Sequence, residues 1–257
     1  MKTAWMVKRT FLLALSALST LLCLACSSSL VGATVLTSTA IASPAPAQAA
    51  SHSPSTPPAA TTPHPGAGAK LTFRRVFKSS TPEFIEITVR EDSDDATFDI
   101  RQLEEDAAAS PFQVSSALRG KMFDLAAQLK HFDKLDLDVH RKIANLGEKT
   151  FRWERGSESH EAKFNYTLNA AAAQLLQIFE GLARQQELLT LLERRMKYDR
   201  LGINDALLQF ETDLNRNLLP EPQRALRTLD QIASDSRFVE IGRQRARALA
   251  DRIRHQS

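Results

Sequence analysis

Residues 84–90 read Phe-Ile-Glu-Ile-Thr-Val-Arg, so Ile85, Ile87 and Val89 alternate with Glu86, Thr88 and Arg90. A period of two places the apolar set on one face and predicts a half-buried strand. Residues 96–101 alternate again, with Phe98 and Ile100 inward, after the acidic turn Glu91-Asp92-Ser93-Asp94-Asp95. Together the two runs predict a hairpin. Residues 71–77 predict an earlier strand, closed by Ser79-Ser80-Thr81-Pro82. A second hairpin is expected further on. Phe151 and Trp153 share one face of residues 150–154, Arg155-Gly156-Ser157 turns, and Ala162, Phe164 and Tyr166 line the return strand.

Between the hairpins the period changes. Leu118, Met122, Leu125, Leu129 and Phe132 fall at steps of four and three, one stripe of a helix capped by Ser115 or Ser116. Residues 137–146 stay open: Leu135-Asp136-Leu137-Asp138-Val139 alternates like a strand, while Gly147 is placed to close a short helix. From Leu168 onward every pattern is helical. Leu168, Leu175, Leu182, Leu189 and Met196 recur every seven residues, with Ala171, Ile178 and Leu192 as companions and Gln185 as the polar exception. Such a seam needs an apolar partner. The following stripes supply one: Ile203, Leu207, Phe210, Leu214 and Leu218 before Pro220, then Leu226, Leu229 and Ile232 after Pro222. Phe238, Ile241, Leu249 and Ile253 line a last helix beyond the break at Asp235-Ser236. Short connections fold these helices back as antiparallel neighbours, which favours a monomeric bundle over pairing of two chains. The fold class expected is α+β: a small antiparallel sheet of two or more hairpins with one packed helix, then a helical bundle.

The first 69 residues follow neither period. Lys8-Arg9 precedes an apolar run over residues 11–25, the pattern of an export signal. Leu24-Ala25-Cys26 before Ser27-Ser28 resembles a bacterial lipoprotein lipobox, with the departure that Cys23 stands where that motif usually has Leu. Cys26 is then the lipidation candidate. Ala47-Gln48-Ala49 offers an alternative site for ordinary signal peptidase, and an uncleaved membrane anchor is a third reading. Residues 27–69 contain no Asp, Glu, Lys or Arg and seven of the eleven prolines. That composition cannot bury enough apolar surface to order itself, so it reads as a disordered Ser/Thr/Ala/Pro-rich linker. The organisation expected is a signal over residues 1–26 (or to 49), a linker over 27–69, an α+β domain over 70–167 and a helical region over 168–257.

Charge alters the picture once it is divided. The net charge of +3 comes entirely from Lys2, Lys8 and Arg9, because residues 70–257 hold thirty basic and thirty acidic side chains. A neutral body lacks the electrostatic footprint of a nucleic-acid binder. The only cysteines are Cys23 and Cys26, so the body has no disulfide, thiol nucleophile or thiolate-held metal.

Candidate chemistry is sparse. His131, Asp136, Asp138 and His140 are the densest group of metal-ligand residue types. On a strand, Asp136, Asp138 and His140 share a face but stand roughly 6.7 Å apart at each step. On a helix, Asp136 and His140 converge at i and i+4. Two ligands do not make a site, and a solvated loop is the favoured reading. The acidic turn at 91–95 lacks the Gly and the distal Glu of a calcium loop. His160-Glu161 begins like a zincin motif, but Phe164 takes the place of its second His. Gly-x-Ser-x-Gly, the P-loop and the dinucleotide-binding turn are all absent, so no cofactor is expected. Arg243, Arg247 and Arg254 share one side of the last helix, a surface for an acidic partner or simply a solvated face. The aromatic residues Phe151, Trp153, Phe164 and Tyr166 read as a hairpin's core face.

These features point to an exported protein of the bacterial envelope or periplasm. Its expected role is a non-enzymatic module that contacts a protein partner, with a membrane involved only through a lipid anchor. Two alternatives are carried forward: a hydrolase whose residues meet only in the fold, and a carrier holding an apolar ligand between sheet and helices.

Overall fold

Alternation assembles the sheet. The computed structural model describes residues 68–256; Cys26, the site at 47–49 and the linker up to residue 67 lie outside the described residues. Strands β1 (Lys70–Val76), β2 (Phe84–Arg90) and β3 (Asp95–Arg101) form an antiparallel meander. A short β4 (Ser110–Gln113) extends it, and β5 (Glu148–Arg155) with β6 (Glu158–Phe164) forms the second hairpin. The spatial order is β4-β3-β2-β1-β5-β6, so β1 lies inside the sheet and pairs with both hairpins. Strand β4 was not foreseen. It is four residues long, carries Pro111 and occupies an edge, where a residue without an N–H is tolerated.

One face of the sheet is polar, with Thr72 and Thr88 sharing a hydroxyl hydrogen bond of 3.1 Å and Arg74 donating to Glu86 at 2.7 Å. The other face carries Leu71, Phe73, Ile85, Ile87, Val89, Phe151, Trp153, Ala162 and Phe164, all buried. Two helices cover it. Ser115 caps α1 (Ser116–Gln128) by accepting from the N–H of Leu118, and Met122, Leu125, Leu129 and Phe132 are buried below it. Asn169 caps α2 (Ala170–Tyr198) in the same way through Ala172. Ala172, Leu175, Ile178, Phe179 and Leu182 of its first half join the sheet core. Ring pairs Phe73–Phe179 at 5.2 Å, Phe132–Phe151 at 5.4 Å and Phe151–Phe164 at 5.1 Å fill the space between sheet and helices.

The second half of α2 enters a different core. Leu188 and Leu192 pack with α3 (Ile203–Asn215), α4 (Leu226–Ser234) and α5 (Glu240–Gln256). A 3-10 turn, Pro222–Ala225, leads into α4. The expected α+β architecture is therefore present, with helices following the sheet.

Several details differ from the sequence reading. The first half of the heptad seam meets the sheet rather than the later helices, where Leu175, Ile178 and Leu182 join the cluster of Ile85, Ile87 and Val89. Leu168 precedes the Asn169 cap and is exposed, as is Tyr166, which falls beyond the end of β6. Helix α3 stops at Asn215, well before Pro220, and Asn217 adopts φ 54°; Leu218 is left exposed. Ile241 points to solvent, while Gly242 and Ala246 take the buried side of α5. Residues 135–146 are neither strand nor helix, and Gly147, at φ +88°, leads into β5 with Phe77 against it.

Candidate functional site

The His–Asp cluster does form part of one feature. Asp136 accepts from the N–H of Asp138 at 3.1 Å and pairs with His140 Nε2 at 2.6 Å, while His140 itself sits at φ 49°. The carboxylate of Asp138 accepts from the N–H groups of Asn165 at 2.9 Å and Tyr166 at 3.3 Å. These carboxylates satisfy backbone N–H groups within the segment and just beyond β6, local side-chain bonds that take the place of ladder bonds there. The hydrogen bond with His140 holds the Asp136 carboxyl below its usual range, and the same bond raises the imidazole. The backbone donor of Asn165 holds Asp138 low. His131 goes elsewhere, stacking on Trp153 with ring centres 4.5 Å apart. Among the described residues, no three His, Cys, Asp or Glu side chains are grouped to hold a metal ion.

The arginines of α5 are engaged within the bundle. Arg243 pairs with Glu240, Arg247 reaches the carbonyl of Ala233 at 3.4 Å, and Arg254 donates to both oxygens of Asp230 at 2.6–2.7 Å.

A site that the sequence reading missed lies where the inner face of the sheet turns polar. Arg75 and Lys149 are register partners on β1 and β5, one step beyond Phe73 and Phe151 on the same face. Opposite them, Glu180, Arg184 and Glu187 repeat at four and three residues along α2, and Asp213 of α3 accepts from Arg184 Nε at 2.6 Å. Three cations and three carboxylates thus replace apolar side chains at this end.

Lys149 is only 5% exposed. Its ammonium donates to the carbonyls of Leu146 at 3.0 Å, Gly147 at 3.2 Å and Asn165 at 3.0 Å. All three of its protons are thereby committed. Burial lowers its pKa, against the pull of Glu180. Glu180 makes no hydrogen bond or ion pair among the described residues. Burial pushes its carboxyl above the usual range, while Lys149 and Arg75 restrain the rise. Glu187 is raised for the same reason, against the pull of Arg184.

Glu180 opens onto a cleft of about 800 Å³. Leu118 and Lys121 of α1 line it, together with Leu146, Tyr166, Gln177, Leu218 and Pro220. Gly181 allows this arrangement: a Cβ there would stand 2.8 Å from the Leu218 carbonyl oxygen and 2.8 Å from Pro220 Cγ. Chemically, the cleft presents apolar side chains around one carboxyl whose capacity is unused. With its protons held by carbonyls, the ammonium of Lys149 is not poised as a nucleophile. The signal for this site was present in the sequence. Arg75 and Lys149 sit at inward positions of alternating strands, where a charge needs a buried partner.

A search against protein-family models and another against curated proteins each find no match to this chain.

Proposed function

We propose that this chain is an exported, envelope-tethered, monomeric module that acts by contact rather than by catalysis, and that a partner protein docks in the cleft beside α2. The observation carrying the reading is the composition of that cleft. Leu146, Tyr166 and Leu218 leave large apolar side chains exposed around Glu180, a carboxyl with no hydrogen bond or ion pair among the described residues. Apolar anchors around a few placed polar groups are what a recognition site offers. The export signal and linker of residues 1–69 support placement at the envelope, and the aromatic filling between sheet and helices speaks against carriage of an apolar ligand there.

Site-specific photocrosslinking in native cells tests this. A photoreactive residue at Tyr166 or Leu218 should give one discrete adduct in the envelope fraction, and the same residue at Lys163, on β6, should give none. Adducts that are equal at all three positions, or absent from both cleft positions, would sink the proposal.

A further inference from the structure

One end of the helical bundle gathers exposed apolar side chains. Helix α2 ends and α3 begins there, and α4 gives way to α5 beside them. The two connections are neighbours: the Gly242 backbone, in the first turn of α5, rests against Ile203 in the first turn of α3, and Arg200 lies within electrostatic reach of Asp235. Four large apolar side chains project from this tip. Leu201 is 80% exposed, Tyr198 72% and Ile241 58%, with Val239 beside Gly242.

The charges around them are uneven. Three of the tip's carboxylates are already neutralised, Asp199 by Arg195, Asp235 by Arg237 and Glu240 by Arg243. Among the described residues, Lys197 and Arg200 have no ion pair, and nor does Arg194 one turn earlier on α2. Among the described residues two carboxylates here are left without an ion pair: Asp205 in the first turn of α3, where the helix dipole favours it, and Glu193 beside Arg194 on α2.

We propose that this tip inserts into the headgroup region of an anionic bilayer. Tyrosine favours the membrane interface, and long basic side chains spread their stems along apolar surface while their charges reach lipid phosphates. The shape fits a bilayer better than a protein partner. The apolar groups stand outward on helix ends instead of lining a groove, and they are few against the roughly 20–30 residues per side of a stable protein interface. The inference does not depend on the cleft.

The test uses the full chain carrying Cys23→Ser, Cys26→Ser and Leu201→Cys, labelled with a polarity-sensitive dye. A control carries the dye through Ser159→Cys, on the exposed β6 strand. Each is mixed with vesicles of phosphatidylcholine alone or with added phosphatidylglycerol. Because the signal comes from the dye's position, attachment through the apolar N-terminal run does not mimic it. The expected result is a blue shift at position 201 with anionic vesicles only, and none at 159. Adding Lys197→Gln and Arg200→Gln should weaken the apparent partitioning about thirtyfold, near one unit of surface attraction per basic side chain. No shift at 201, an equal shift at both positions, or an equal shift on neutral vesicles would overturn the proposal. So would a shift that grows with protein concentration in the absence of lipid, which would reveal self-association.

Discussion

Glu180 and Lys149 share one end of the sheet's inner face but differ in how their charge is met. Lys149 is saturated by three carbonyls, whereas Glu180 has only the field of Lys149 and Arg75. A carboxyl raised by burial keeps its proton in the folded chain after the unfolded chain has lost it. Stability therefore falls as pH climbs from the ordinary value of 4.5 through the raised one, and levels off above it. Glu180→Gln removes that loss. The melting temperature of Glu180→Gln minus that of the wild type should increase between pH 4 and pH 7; a difference that stays flat or declines would contradict the burial of this carboxyl. Glu187 shifts in the same sense but is present in both proteins. At this scale the sequence was half readable. Alternation carried one step beyond Phe73 and Phe151 puts Arg75 and Lys149 inward, a step the strand bounds expected from the sequence did not take for Lys149, and nothing local says that Glu180, Arg184 and Glu187 face them, since that depends on how α2 is rotated over the sheet. Conversely, in the conspicuous run from His131 to His140, Asp136 and Asp138 spend their carboxylates on backbone N–H groups and on His140.

Among the elements, α2 is the one that both cores depend on. Leu182 is fully buried over the sheet, so Leu182→Ala should cost about 2–5 kcal/mol as a cavity. Gly181→Ala should destabilise by about 1–3 kcal/mol, because its new Cβ meets the backbone of Leu218 and the ring of Pro220. Thermal melts over a tenfold range of protein concentration check both. The melting temperature of each variant should drop by the same amount at every concentration, and a drop that varies with concentration would mean the seam pairs two chains. The heptad pattern identified α2 and five of its eleven buried residues, Leu175, Ile178, Leu182, Gln185 and Leu192. Its partner was misassigned because periodicity reports that a side is buried and not what buries it. The strands β1, β2, β3, β5 and β6 were legible for a simpler reason: one face packs and the other is wet, so each advertises its period. Strand β4 is too short to alternate visibly.

For the whole molecule, the consequence of sharing α2 is cooperativity. The two cores are also joined by buried polar contacts: Gln185 on α2 accepts from the N–H of Glu221 at 3.0 Å, and Glu221 in turn accepts from the N–H of Ser115 at 2.9 Å. Trp153 lies in the sheet core, whereas helical signal comes largely from the bundle. In Trp5→Phe, which leaves Trp153 as the sole tryptophan, tryptophan fluorescence and far-ultraviolet circular dichroism should report one coincident denaturant transition. Two separated midpoints would show that the cores melt independently. The α+β plan at this scale was legible from the periods alone, two hairpins of two-residue repeats with one helical stripe between them and helical repeats throughout thereafter. What the periods do not carry is strand order, and that order has a mechanical meaning. The chain enters the described fold at Gly68 and runs straight into β1, which is clasped on one side by β2 and on the other by β5. Tension along this strand loads two full ladders in shear, so their hydrogen bonds must rupture together instead of unzipping one by one. If the chain is held through residues 1–69, as proposed, the pull falls on β1 and on both of its ladders at once.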